Sequence, residues 1–289
     1  MCDRLTRVPR GRAILVRPGQ VPARPGVRHS GPVTVDELTR PVSRRTLGTE
    51  TLLVLGLSLG QSAVYALVSL IAKLTATGGL AKQTAALNTS ASARPYLDLT
   101  YQLLGIFFAL LPVLLAVHLL ARDPGDPARK LGVDLTRPGA DLAQGAALAA
   151  LIGLPGLALV WAAAQLGINA TLVPAALPHL WWAVPVLILA AVQNAVLEEV
   201  IVVGYLVTRL RQLGWRLGAV IAASALLRGS YHLYQGFGAF LGNAVMGVVF
   251  SLFFLRTRRV APLIVAHTLL DVVAFVGYAL LPKSWFGWL

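Results

Sequence analysis

The feature that most constrains the fold of this 289-residue chain is a series of apolar stretches, each close to the length of a membrane-spanning helix. A span needs about 20 mostly apolar residues, because the hydrocarbon core is about 30 Å thick and a helix rises about 1.5 Å per residue. The stretches are Thr51–Leu74, Leu97–Leu120, Leu142–Leu166, Leu180–Thr208, Leu217–Leu233, Phe237–Leu255 and Val260–Leu281. The sequence therefore predicts an all-α polytopic membrane protein with about seven transmembrane helices.

Arginine and lysine are concentrated in every second connection between these stretches. The basic connections are the segment before the first stretch and the loops 121–140, 209–216 and 256–259. Cytoplasmic loops carry an excess of these residues, so the pattern predicts a cytoplasmic N-terminus and an external C-terminus. Topology thus explains the net charge of +13. We expect an integral protein of a bacterial-type cytoplasmic membrane, whose partner is the lipid bilayer and not nucleic acid.

Composition divides the chain into three parts. Residues 1–46 are rich in Arg, Pro and Gly and have no helical or strand period, which predicts a disordered basic tail. An alternative is that the protein begins near Val35. Residues 47–179 hold the first three predicted spans, and residues 180–281 hold the last four. The single cysteine, Cys2, excludes an intrachain disulfide and a cysteine-rich zinc site.

The third part carries ionisable residues inside its apolar stretches. A charged group at mid-bilayer costs about 2.5–3.5 kcal/mol on insertion scales, so each of them needs a local reason. The residues are Glu198 and Glu199 in the fourth stretch, His232 at the end of the fifth, and His267 and Asp271 in the seventh. We predict that these three segments bring the five side chains into one intramembrane layer.

Helix geometry separates the expected roles of neighbouring residues. His267 and Asp271 are four residues apart and therefore share one helix face. Glu198 and Glu199 point about 100° apart. We expect only one glutamate to face the centre of a cavity squarely, and the other to support it or to bond a neighbouring helix.

A glutamate with one or two histidines can activate water by two routes. The carboxylate can act directly as a general base. It can also act beside a metal, since His232 and His267 with a carboxylate would satisfy a catalytic zinc ion that keeps one open position. The residues alone leave both routes open, and zinc is the cofactor that the second route would require.

The order of these residues resembles the CPBP family of intramembrane proteases, which includes the CAAX prenyl endopeptidases and the Abi bacteriocin-immunity proteins. The family motifs read Glu-Glu-x-x-x-Arg, Phe-x-x-x-His and His-x-x-x-Asn/Asp. They match Glu198-Glu199, His232, and His267 with Asp271, over roughly residues 180–280. The resemblance implies that Glu198 and His232 activate the attacking water. It also implies that His267 and Asp271 stabilise the oxyanion of the tetrahedral intermediate.

Two positions depart from the family motifs. The motif arginine falls on Val203, and the motif phenylalanine falls on Arg228. We hypothesise that Arg228 pairs with Glu199 or lines the substrate cavity, since a buried charge requires an acid nearby. Asn194 and Asn243 are further polar residues in these spans, and they would line the cavity or bond neighbouring helices.

The resemblance implies an intramembrane endopeptidase that hydrolyses a peptide bond of a membrane-associated protein or peptide. The residues themselves leave two alternatives open. The acidic pair could hold helices together in a non-catalytic scaffold or a bacteriocin-immunity protein. Buried glutamate and histidine chains also carry protons, so a proton-coupled transporter is the second alternative. No residue pattern identifies the substrate or a prenyl-binding site.

Overall fold

The computed structural model describes residues 42–178 and 180–286, so the predicted tail up to residue 41 and His179 lie outside the described residues. The helices are α1 (Arg44–Gly56), α2 (Leu59–Thr75), α3 (Pro95–Ala109), α4 (Leu111–Ala121), α5 (Pro127–Leu131), α6 (Pro138–Gln165), α7 (Ala183–Glu198), α8 (Leu206–Gln212), α9 (Leu217–Tyr231), α10 (Phe237–Thr257) and α11 (Ala261–Leu280). A π-helical segment, Glu199–Tyr205, joins α7 to α8. The described chain is mostly helical, which confirms the predicted class.

The non-helical elements are short. Strands β1 (Thr84–Ala86) and β2 (Thr171–Val173) pair in parallel, with Thr84 opposite Thr171. Three turns of 3-10 helix occur at Leu80–Lys82, Leu233–Gln235 and Lys283–Phe286. The strands join two connections that the charge pattern predicts to be external, so they close that side of the helix bundle.

Five continuous helical stretches among the described residues are long and apolar enough to cross a membrane. They are Pro95–Ala121, Pro138–Gln165, Ala183–Gln212, Phe237–Thr257 and Ala261–Leu280. The pair α1 and α2, bent by 50°, forms a sixth if it is one span. Helix α9 coincides with the predicted fifth stretch but has only 15 residues. The chain is thus an integral membrane protein with five or six spans by this measure, and seven spans remain a prediction.

The bend between α1 and α2 has a local cause. Leu57 and Ser58 interrupt the helix, and the Ser58 hydroxyl donates a hydrogen bond of 2.6 Å to the carbonyl of Val54. Gly60 follows, where a Cβ atom would lie 2.7 Å from the carbonyl oxygen of Leu55. Because glycine permits this close approach, α2 can turn away from α1 and pack against α9.

The main core surrounds the π-helical segment. Residues 200–203 of this segment are at most 4% exposed, and α4, α9 and α10 pack around them. The carbonyl of Val202 accepts a hydrogen bond of 2.9 Å from the Ser224 hydroxyl, which accepts one of 3.0 Å from Ser251. This chain of hydroxyls fixes the π-helical segment to α9 and α10.

An ion-pair cluster holds the connections on the basic-loop side. Arg259 donates to both carboxylate oxygens of Asp141, at 2.7 and 2.6 Å, and to Asp134 at 3.1 Å. The bond with Asp141 raises the pKa of Arg259. Hydrogen bonds from the hydroxyl and backbone amide of Thr136, with a contribution from Arg259, lower the pKa of Asp134 to about 2. We call Arg259, Asp141 and Asp134 the Arg259 cluster.

Candidate active site

Four elements bring the predicted ionisable residues together. Helix α7 ends at Glu198 and the π-helical segment begins at Glu199, while α9 and α11 approach this junction from two sides. The residues that meet there are Glu198, Glu199, Arg228, Tyr231, His232, His267 and Asp271. The five predicted ionisable side chains therefore lie in one continuous polar cluster, together with Arg228 and Tyr231.

Both glutamates lie close to Arg228, at the junction of α7 and the π-helical segment. Glu199 accepts from Arg228, and the Oε2 atom of Glu198 lies 3.7 Å from Nη1 of the same guanidinium. A π turn contains more residues than an α turn, so it reduces the angle between adjacent side chains. The π-helical hydrogen bond runs from the N–H of Leu206 to the carbonyl of Ile201. Sequence periodicity at 100° per residue could not anticipate this local change.

Glu199 is the fully buried member of the pair. Its Oε1 atom accepts from Nη2 of Arg228 and from Nδ1 of His267, the latter at 2.7 Å. A carboxylate bonded to a guanidinium is an acceptor, so Nδ1 of His267 carries the proton and Nε2 is available to another group. Arg228 is 0% exposed and lies over the ring of Phe250, 5.3 Å from its centroid. The hypothesised contact between Arg228 and Glu199 is thus present.

One oxygen of Glu198 faces three polar groups. Tyr231 donates its hydroxyl hydrogen to Oε2 of Glu198 at 2.7 Å. The Nε2 atoms of His232 and His267 each lie 3.9 Å from the same oxygen. That separation is too long for a direct hydrogen bond, and it suits a single bridging water. Nε2 of His232 is buried and has no hydrogen-bond partner among the described residues.

Of the remaining predicted residues, Asp271 and Asn194 extend this cluster, whereas Asn243 does not contact it. Asp271 lies 3.7 Å from Nε2 of His267, and it accepts a hydrogen bond of 3.4 Å from the side-chain amide of Asn194. Asn243 instead donates to the carbonyl of Ala239 in its own helix, at 3.0 Å. Val203, at the position of the motif arginine, is 0% exposed in the hydrophobic core. The guanidinium of the cluster therefore comes from α9 and not from the π-helical segment.

Two polar residues of the site were missed by sequence reasoning. Tyr231 bonds Glu198, and the side-chain amide of Gln235 lies 3.3 Å from Nδ1 of His232. Tyr231 follows Arg228 by three residues, a spacing that places both on one helix face. That spacing was the available signal for Tyr231. Gln235 lies in a 3-10 turn, whose geometry an apolar pattern does not predict.

Glu198, Glu199 and His267 form a group that is compact enough to ligate a metal ion. Their ligand atoms lie within 4.8 Å of one another. His232, predicted as a ligand in the zinc route, is outside this group among the described residues. The group fits a divalent cation poorly, because Arg228 already bonds Glu199 and lies 3.7 Å from Glu198. A second cation at such a distance from the guanidinium would be strongly repelled.

Comparison with known proteins supports the resemblance seen in the motifs. Residues 179–273 match the sequence model of the family described as type II CAAX prenyl endopeptidase Rce1-like. The matched segment includes α7 to α10 and the part of α11 that carries His267 and Asp271. No curated protein and no solved structure matches the chain significantly. The match confirms the resemblance to the CPBP and CAAX protease family for this segment, and α1–α6 lie outside it.

Proposed function

We propose that this chain, whose residues 179–273 resemble the type II CAAX prenyl endopeptidases, is an intramembrane endopeptidase. Its substrate would be a membrane-associated protein or peptide. One observation carries the proposal, namely the orientation of two imidazole Nε2 atoms toward one carboxylate oxygen. Nε2 of His232 and Nε2 of His267 each lie 3.9 Å from Oε2 of Glu198. This arrangement suits a water molecule held for deprotonation.

In the proposed reaction, Glu198 acts as the general base. It takes one proton from the water while the water oxygen attacks the carbonyl carbon of the scissile peptide bond. The His232 imidazole holds that water in position. The tetrahedral intermediate then collapses, the carbon–nitrogen bond breaks, and the departing amine receives the proton from Glu198. The products are a carboxylic acid and an amine, and no further reactant is needed.

The oxyanion would be stabilised on the side of α11. We assign this role to Nε2 of His267 in its imidazolium form, because Nδ1 is already committed to Glu199. An ionised Asp271 cannot donate a hydrogen bond. Its contribution would be to hold the amide of Asn194, which donates to it at 3.4 Å. Arg228 and Glu199 are positioning residues that fix the His267 ring.

We also propose that the reaction proceeds without a metal. The guanidinium of Arg228 supplies positive charge where a metal held by Glu199 would lie. Metal analysis of the purified protein tests this choice. Stoichiometric zinc together with inhibition by a chelator would overturn it, whereas loss of activity in Glu198→Ala is expected for both routes.

The proposed topology has seven spans and a cytoplasmic N-terminus, with the short helix α9 as the fifth span. It retains the division into a basic tail (1–46), three spans (47–179) and a catalytic core (180–281) in a bacterial-type cytoplasmic membrane. A test replaces Cys2 with serine and introduces Arg94→Cys or Arg137→Cys. In intact cells, an impermeant maleimide should label the cysteine at position 94 and not the one at position 137. Labelling at position 137 only would show that the orientation is the opposite of the one proposed.

The proposed function is tested with a pool of internally quenched peptides, each made with and without a prenylated C-terminal cysteine. The full chain is reconstituted in nanodiscs, and the products are mapped by mass spectrometry. We expect cleavage by the wild-type protein and none by Glu198→Ala or His267→Ala, although both variants insert and fold. Equal cleavage by Glu198→Ala would overturn the proposal.

A second candidate function, a non-catalytic scaffold or immunity protein, is supported by the buried contact between Arg228 and Glu199. Such a pair can hold α9 against the π-helical segment without any chemistry. A scaffold would keep its cellular effect in Glu198→Ala and His267→Ala, since neither change removes that contact. A protease would lose its effect in both variants. A transporter would instead show proton flux in proteoliposomes without a cleaved product.

A further inference from the structure

An open groove between α2 and the end of α9 lies beside the candidate active site. Its volume is about 570 Å³. One wall consists of polar side chains of α2, and the other consists of two tyrosines. The residues that matter here are Gln61, Ser62, Tyr65 and Ser69 on α2, with Tyr231 and Tyr234 opposite. The α2 residues are spaced so that they share one helix face.

The polar face of α2 is unexpected in a candidate membrane span. Helix α2 is the second half of the bent candidate span, and Tyr65 is 68% exposed. Gln61, Tyr65 and Ser69 form no side-chain hydrogen bond with any described residue, and the Ser62 hydroxyl reaches only the carbonyl of Ser58 in the preceding turn, at 3.5 Å. Polar groups that face hydrocarbon without partners are costly. A ligand that provides donors and acceptors would remove this cost.

The groove is connected to the candidate active site through Tyr231. This side chain forms part of the groove wall, and its hydroxyl donates to Glu198 at 2.7 Å. Tyr234, the other tyrosine of the wall, is fixed at both ends. Lys73 of α2 donates to its carbonyl, and Gln235 donates to its hydroxyl at 2.8 Å. The groove therefore shares the Tyr231 side chain with the candidate active site, and the second tyrosine of its wall is held in place.

The spacing of the polar residues favours an extended peptide as the ligand. Gln61, Tyr65 and Ser69 recur every four residues, which corresponds to about 6 Å along the helix. An extended peptide rises about 3.3 Å per residue, and groups on the same edge recur every second residue, at about 6.6 Å. The side chains that line the groove carry no formal charge, which disfavours an ionic headgroup. A hydrocarbon chain would leave the Gln61 amide and the Tyr65 and Ser69 hydroxyls without partners.

We propose that this groove binds the main chain of the polypeptide substrate in an extended conformation, next to the scissile bond. The inference rests on the proposed function, since it names where that substrate lies. Helix α2 is outside the segment that matches the family. The groove thus assigns substrate binding to a helix outside the matched residues 179–273.

The first experiment measures cleavage kinetics with the peptide from the pool that the wild-type protein cleaves best. Gln61→Leu and Ser69→Ala should each raise KM about two- to tenfold, the range for one lost neutral hydrogen bond, and leave kcat within about twofold. The matched control is Gln144→Leu, because Gln144 is an exposed glutamine of α6 far from this face. Unchanged KM in both groove variants would overturn the inference.

The second experiment detects binding without requiring cleavage. The photo-crosslinker p-benzoylphenylalanine replaces Tyr65 in the groove or Leu67, which is 48% exposed on another face of the same helix. Each is made in a Glu198→Gln background and irradiated with the same peptide pool. Capture at position 65 and not at 67 supports the groove. No capture at 65, or equal capture at both positions, overturns it.

The two experiments separate the inference from the proposed function. If no peptide is cleaved but position 65 still captures peptides selectively, the proposed endopeptidase activity fails and the groove stands. If cleavage depends on Glu198 but the groove variants keep the wild-type KM, the activity stands and the groove fails.

Discussion

Two of the buried arginine clusters among the described residues contrast in how completely their hydrogen bonds are used. In the Arg259 cluster, Nε and Nη2 of the arginine bond both oxygens of Asp141, and Nη2 also reaches Asp134. In the second cluster, formed by Arg228, Glu198, Glu199 and His267 and called here the Arg228 cluster, several groups have no partner among the described residues. They are Oε2 of Glu199 and Nε and Nη1 of Arg228.

The Arg259 cluster is a structural ion pair, whereas the Arg228 cluster has donors and acceptors that can still bond a ligand. A bidentate arginine–carboxylate pair has fixed geometry and leaves little for a ligand to bond. Unpartnered buried donors and acceptors are costly, so they persist mainly where a ligand, a water or a reacting group completes them. By this comparison the Arg259 cluster joins loops, and the Arg228 cluster, with the neighbouring His232, is where chemistry can take place.

The largest effect that tests this contrast is expected from Glu198→Gln. The substitution preserves the shape of the side chain and removes the proposed base, so we expect cleavage to fall by about 10²- to 10⁴-fold. The rate is measured on the best-cleaved peptide in nanodiscs. The matched control is Asp134→Asn, the same acid-to-amide change in the Arg259 cluster, which should leave the rate unchanged. A comparable loss in both variants would remove the distinction between the clusters.

Arg228→Met should be the most destabilising change in the site. It leaves Glu199, which is 0% exposed, as a buried carboxylate without its guanidinium. Breaking a buried pair in this way costs about 3–5 kcal/mol. Thermal or denaturant unfolding in detergent measures the loss. The exchange of both partners, Glu199→Arg with Arg228→Glu, should recover folding better than either single change, and no recovery would contradict the pairing.

Tyr231→Phe should have a smaller effect that appears in both stability and rate. It removes the hydroxyl that donates to Glu198 at 2.7 Å. A hydrogen bond to a charged group contributes about 1.5–3 kcal/mol. Because the same carboxylate is the proposed base, kcat should decrease together with the free energy of unfolding. Ser230→Ala, which removes a hydroxyl bonded only to its own helix, is the control and should change neither quantity appreciably.

The smallest effect is expected from pH in the Arg259 cluster. Hydrogen bonds from Thr136, with Arg259, lower the pKa of Asp134 to about 2 from its ordinary value of 3.8. A lowered carboxyl pKa stabilises the fold above pH 4, and this contribution disappears as the pH falls from about 4 to 2. Wild-type protein should therefore have a slightly higher Tm than Asp134→Asn at pH 6, and the two should converge near pH 2. A difference that persists at pH 2 would exclude this cause.

Much of the fold follows from local pattern alone. Stretches of apolar residues determine the helices, because in hydrocarbon a backbone must satisfy its own hydrogen bonds. The stretches predicted at Leu142–Leu166, Phe237–Leu255 and Val260–Leu281 lie within α6, α10 and α11, apart from one or two residues at their ends. The predicted first stretch, by contrast, contains a bend of 50° between α1 and α2. That bend follows from the interruption at Leu57 and Ser58 and from the close approach at Gly60, neither of which hydropathy reports.

For the site, the sequence by itself determined which side chains are too costly to lie in the membrane without partners. Glu198, Glu199, His232, His267 and Asp271 are recognisable for that reason. The cost of a buried charge also predicts the pairing of Arg228 with Glu199, whereas only the tertiary structure decided the other contacts, such as those of His267 with Glu199 and of Tyr231 with Glu198. The π-helical segment turns both glutamates toward one arginine, and α9 supplies that arginine in place of Val203. Partner choice in a buried cluster depends on distances between helices far apart in sequence, and a local pattern contains no such distances.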